Sequence, residues 1–156
     1  MGDRYDLILA AESGFARRAA LGVIVRRPVK PLLQLIPGMF IFDFLRRTSA
    51  IRKFSRFYLP PRRAALDAAR DIENGLSREE AVEDAEEKAR TWLDSHGLSG
   101  EEVRRTLIDL VHEMIEHYVR LLQAGGESYP DLVRTGYGSR GAYRSFLARL
   151  ANLERA

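Results

Sequence analysis

Along most of this chain the apolar residues recur three and four positions apart, and no stretch alternates with the period of two that a half-buried strand requires. Between residues 3 and 25 the recurring set is Leu7, Ile8, Ala11, Phe15, Ala19 and Val23, the stripe of an amphipathic helix. Pro28, Pro31 and Pro37 then interrupt the chain. A second helix is expected over 38–59, with Pro37 near its start, where a missing N–H costs little. Leu59-Pro60-Pro61 is expected to end it and to open a third, striped by Ala65, Leu66, Ala69 and Ile72 and stopped at the Asn74-Gly75 turn. Two further starts carry a serine with a glutamate three residues on, a pair that satisfies orphan N–H groups reciprocally. Ser77 with Glu80 opens a helix to about residue 95, before Gly97, and Ser99 with Glu102 opens one to about 123, before Gly125-Gly126. A last helix is expected over 139–153.

Six helices on short connections imply an all-α fold, a compact bundle or orthogonal array of about five to six helices. The 156 residues fit one domain, 1–156, long enough to bury about 68–70% of its unfolded surface without a disulfide or metal. With no cysteine, the chain cannot build a disulfide scaffold, a zinc ribbon, an iron–sulfur cluster or a thiol nucleophile. The N-terminus lacks the basic and apolar regions of a secretory signal, Asp6 stands where a myristoylation signal needs Ser or Thr, and no run of 18 apolar residues exists. A cytoplasmic protein, peripheral at most to the inner face of the membrane, is the expectation.

Charge is divided along the chain. Residues 1–63 carry 13 Arg and Lys against 4 Asp and Glu, net +9, and residues 64–156 carry 12 against 18, net −6. Such asymmetry points to an anionic partner for the first part, a membrane surface or nucleic acid. The competing account is internal: the acidic run from Arg78 to Asp94 could pack against the basic half, within one molecule or across a dimer.

The basic aromatic segment 29–63 lies inside the positive half. Its apolar part, residues 32–45, is interrupted by Gln34, Pro37-Gly38 and Asp43 and is too short to cross a bilayer. At 100° per residue, Phe40, Phe44, Ile51, Phe54 and Tyr58 share one face of a helix, and Arg46, Arg52, Lys53 and Arg56 fall on the other. With Arg47 they form a candidate membrane or partner interface, aromatic side toward the apolar phase and bases toward anionic headgroups. The same wheel describes a core helix with a solvated basic side, and Phe40, Phe42 and Phe44 could form the seam of a homodimer. Nucleic-acid binding ranks behind these, because no helix-turn-helix, RRM or KH signature accompanies the basic groups. The run IPGMFIFDFLRRTSAIRKFSRFYLPPRRAALDAA, residues 36–69, resembles the best-marked segment of an uncharacterised group of small helical bacterial proteins. The resemblance implies a bacterial, cytoplasmic or membrane-peripheral setting and no activity.

Catalytic chemistry has few candidates. His112 and Glu116 stand four apart on one helix and could chelate a metal, as could Glu113 and His117, but neither HExxH nor HxxEH is present. The stripe Leu107, Leu110, Val111, Met114, Tyr118 and Leu121 sets His112 and His117 on opposite edges, and Glu116 with Arg120 forms an expected salt pair. Gly136-Tyr-Gly-Ser-Arg-Gly141 matches a dinucleotide fingerprint literally but lacks a preceding strand, so a loop capped by Ser139 is expected. His96, before Gly97, reads as a helix-end residue. The sequence therefore predicts a helical protein without cofactor or catalysis, acting as a peripheral membrane or interaction module. A homodimer is the first alternative and a metal-dependent helical-bundle enzyme the last.

Overall fold

A computed structural model describes residues 2–20, 51–98 and 100–153, with side chains described over 4–16, 59–98, 100–150 and 152–153. Six helices account for these residues: α1 (Gly2–Ala20), α2 (Ile51–Glu73), α3 (Arg78–Ser95), α4 (Glu101–Gln123), α5 (Tyr129–Tyr137) and α6 (Arg140–Leu153). No strand occurs among the described residues, and the fold is an all-α bundle.

Two elements depart from the expected plan. The helix does not end at Pro60-Pro61; α2 runs through both prolines, so 51–59 and 61–73 belong to one element. Residues 38–50 of the expected second helix lie outside the described residues. In turn, α5 forms where a loop was expected. Ser128 caps it by accepting from the Asp131 N–H, Pro130 sits in the first turn where a missing donor costs nothing, and Gly138 ends it at φ +68°. Nine residues are too few to show a periodic stripe, so only the caps could have revealed it.

The other boundaries follow their local chemistry. The Ser77 hydroxyl accepts from the Glu80 N–H, 3.2 Å away, and the Ser139 hydroxyl accepts from the Ala142 N–H, 3.1 Å away. The expected cap at Ser99 lies outside the described residues, and Gly100 stands at the N-cap of α4 without a side-chain bond. His96 does occupy the end of α3, its Nδ1 2.8 Å from the Trp92 carbonyl.

Helix α2 is the hub of one half, packed on α1, α3 and α4, and α4 carries the other half by packing on α5 and α6 as well. The hub is built from small residues. α2 buries Ala64, Ala65, Ala68 and Ala69, and α3 buries Ala81, Ala85 and Ala89, one per turn, followed by Leu93. Short side chains on both partners let helix axes approach closely, because the side chains at the contact set the spacing. The bulk that fills the rest of the core comes from α4, with Leu110, Val111, Met114, Ile115, Tyr118 and Leu121, and from Phe146 and Leu150 of α6. Gly136 serves this packing: a Cβ there would stand 3.2 Å from the Arg120 carbonyl and 3.3 Å from its side chain, so only glycine brings α5 this close to α4.

Candidate functional site

The histidine and carboxylate singled out as metal ligands line one groove, of about 660 Å³, between α3 and α4. The structure gives each its own partner there. His112 places Nε2 2.6 Å from Oε1 of Glu86, whose other oxygen accepts from Arg90, and Glu116 pairs with Arg78 across the groove. Glu113 accepts from Arg149 at 3.3 Å. The expected Glu116–Arg120 pair is not formed, because Arg78 from the neighbouring helix takes the carboxylate while the Arg120 guanidinium lies 4.7 Å over the Tyr137 ring. Among the described residues no three His, Asp or Glu side chains converge on a point that could hold a metal ion. The Arg78–Glu116 ion pair and the His112–Glu86 contact tie α3 to α4 along their exposed flank, and Arg149 ties α6 to α4.

His117, set by the helical wheel at one edge of the buried stripe, lies inside the core. Its ring is fully buried, stacked on Phe146 at 4.5 Å between centroids and 7° between planes. Nδ1 lies 2.6 Å from the Tyr137 hydroxyl and Nε2 3.2 Å from the Tyr129 hydroxyl. A neutral imidazole suits both contacts: one phenol donates to the bare ring nitrogen and the other accepts from the ring N–H. Burial, with the Arg62 and Arg120 charges nearby, drives the His117 pKa down to about 3, so the ring is neutral at physiological pH. Burial raises the phenols of Tyr137 and Tyr143 above their ordinary value. The sequence signal that could have found this cluster is the recurrence of Tyr129, Tyr137 and Tyr143 around short C-terminal helices that need something polar to meet.

A second buried polar contact lies close by. Arg62 of α2 and Glu12 of α1 are both about 2% exposed or less and pair at 3.6 Å, with Arg62 also donating to the Met114 sulfur at 3.6 Å. Glu12 stands four after Ile8 and three before Phe15, on the buried face of α1. Taken together, His117, its two phenols and the Glu12–Arg62 pair make the centre of the bundle polar but closed to solvent, an arrangement that orients helices and offers no reacting atom to a substrate.

The GxGxxG match is likewise structural. Gly136 and Gly138 finish α5, and no strand precedes them among the described residues. Comparison of the chain with protein-family models, with curated proteins and with solved structures yields no match.

The candidate interface is divided by what the structure describes. Phe40, Phe44, Arg46 and Arg47 lie outside the described residues, as do the side chains of Ile51, Arg52, Lys53, Phe54, Arg56 and Tyr58, whose backbone forms the first turns of α2. Charge pairing in the rest of the chain bears on them directly. Glu12 and Arg62 pair within the basic half. Every other ion pair among the described residues joins two partners in 64–156; in α3, Asp84 pairs with Lys88, Glu86 with Arg90 and Asp94 with Arg104.

Proposed function

We propose that the protein is a non-catalytic helical module that presents its basic aromatic segment, residues 29–63, to an anionic membrane surface from the cytoplasmic side. The observation that carries this reading is the division of charge along the sequence, net +9 over 1–63 and −6 over 64–156. An excess of +9 in residues 1–63 favours an anionic surface, and Asp84, Glu86 and Asp94 of the acidic run are already paired with Lys88, Arg90 and Arg104. Phe40, Phe44, Ile51, Phe54 and Tyr58 supply apolar contact, and Arg46, Arg47, Arg52, Lys53 and Arg56 supply charge. No helix among the described residues is long and apolar enough to cross a membrane, so the reading is one of surface attachment.

Co-sedimentation with vesicles of phosphatidylcholine alone and of phosphatidylcholine with phosphatidylglycerol tests it. Binding to the anionic vesicles alone, lost at high salt, is expected. Each basic group near such a surface contributes about 1 kcal/mol, so neutralising Arg46, Arg52, Lys53 and Arg56 together lowers affinity by about a thousandfold. Absence of binding to either vesicle overturns the reading and returns the segment to a homodimer seam, where Phe40→Asp or Phe44→Asp dissociates the assembly.

A further inference from the structure

The turn between α2 and α3 carries a pair of residues with chemistry of its own. Asn74 and Gly75 follow the last residue of α2, and both are exposed, as are Leu76 and Ser77 after them. An asparagine holds its amide carbon Cγ where the next backbone nitrogen can close a five-membered ring on it, and a side chain on the next residue ordinarily hinders that closure. Gly75 has none. A Cβ built there meets nothing within 4 Å, so no neighbouring group crowds the turn either. The chain has one other asparagine, Asn152, exposed near the end of α6 and followed by the bulkier Leu153.

The backbone holds the pair in a closed cap. Gly75 stands at φ +96°, its N–H donates to the Ile72 carbonyl at 3.0 Å, and the Leu76 N–H donates to the Asp71 carbonyl at 2.9 Å. These are the two bonds of a Schellman cap. The nitrogen that closes the ring is therefore engaged while the cap is shut and released when it opens, and exposed helix ends open at low cost. Breaking both bonds sets the open fraction at about one in ten to one in a hundred.

We propose that Asn74 is a self-modification site, which deamidates through a succinimide at a rate set by opening of the α2 cap. The Gly75 nitrogen, its proton taken by hydroxide, attacks Cγ of Asn74; a C–N bond forms, and the side-chain amide departs as ammonia. Water then opens the ring at either carbonyl and leaves aspartate or isoaspartate at position 74, one water being consumed for one ammonia released with no change of oxidation state. The new carboxylate stands at a cleft of about 360 Å³ whose charged walls include Arg4, Arg70 and Glu73. Isoaspartate also adds a methylene to the backbone of the turn that joins the alanine face of α2 to that of α3.

The test uses the full chain, incubated folded or in urea in mildly alkaline buffer made with heavy-oxygen water. It is then digested in ordinary water, and the mass of the tryptic peptide Asp71–Arg78 is followed over time. Heavy oxygen in that peptide marks conversion during the incubation and not during the digest. Conversion at Asn74 is expected in the folded chain, about tenfold to a hundredfold slower than in urea, with Asn152 unchanged over the same period. Asn74→Gln, at an exposed position, is expected to abolish it. A folded rate more than about a thousandfold below the unfolded one overturns the proposal, because the cap then closes the site. Equal rates in both states overturn the control by the cap, and heavy oxygen that persists in the Asn74→Gln chain places the reaction elsewhere and overturns the site.

Discussion

A neutral histidine sealed in the core makes this fold sensitive to acid in a way that can be separated from its many carboxylates. In the folded chain His117 titrates at about 3, against 6.5 for an ordinary histidine. Between those values the unfolded chain binds a proton that the folded chain refuses, so stability rises with pH across this window and falls as the solution is acidified. At 1.36 kcal/mol for each unit of separation, the full loss on going from pH 7 to about 3 amounts to about 5 kcal/mol from this one ring. That is a large share of the roughly 5–15 kcal/mol by which domains are stable. The assay is urea unfolding at pH 7, 6, 5 and 4.5 for the natural chain and for His117→Gln, which keeps a hydrogen-bonding side chain but does not titrate. Carboxylates act alike in both chains and cancel in the difference. The stability advantage of the natural chain is expected to shrink by about 1.4 kcal/mol per unit below pH 6. Parallel pH profiles refute the argument, since they mean that the ring is either solvated or already charged in the fold.

Other substitutions probe the same centre and its edges. Tyr137→Phe removes the hydroxyl 2.6 Å from His117 and is expected to cost about 1–3 kcal/mol in urea unfolding, whereas Tyr143→Phe is expected to be nearly neutral, because that buried hydroxyl meets no hydrogen-bond partner among the described residues. Arg62→Met leaves Glu12 buried without its guanidinium and is expected to destabilise by about 3–5 kcal/mol, and adding Glu12→Leu is expected to recover most of the loss; calorimetry of both chains measures it. Ala85→Leu forces a large side chain between the alanine faces of α2 and α3 and is expected to cost at least about 1–3 kcal/mol, read as a fall in the thermal midpoint.

How much of this could be read in advance depends on the range of the interaction. Helix class and most helix ends follow from signals within a turn: the Ser77 hydroxyl reaching Glu80, the left-handed glycines after α3 and α5, the Ala81, Ala85, Ala89 stripe. Pro60-Pro61 was legible as a break because local chemistry says so, but the helix continues across it into a buried turn in which Arg62 pairs with Glu12 of α1. The polar centre was not legible. Glu12 and Arg62 are 50 positions apart, and His117 meets Tyr129 and Tyr137 across the turn between α4 and α5, so local periodicity does not bring the partners together. His117 differs from His112 only in which tertiary neighbours arrive: rings enclose the first, and Glu86 meets the second at the surface. Of the candidate site, charge and aromatic content were visible from the start; that Asp84, Glu86 and Asp94 pair with Lys88, Arg90 and Arg104 emerged from the structure alone.

The two unusual features of the molecule explain one another. A core lined by alanines provides little apolar area per helix, since each short side chain buries only a fraction of what a leucine does. The orientation of α1 against α2 is then specified by a directional contact, the Glu12–Arg62 pair, and that of α5 and α6 against α4 by the phenol–imidazole contacts and the stacked Phe146. Such contacts tolerate misplacement less than dispersion does, because a displaced buried charge or donor loses its compensation outright.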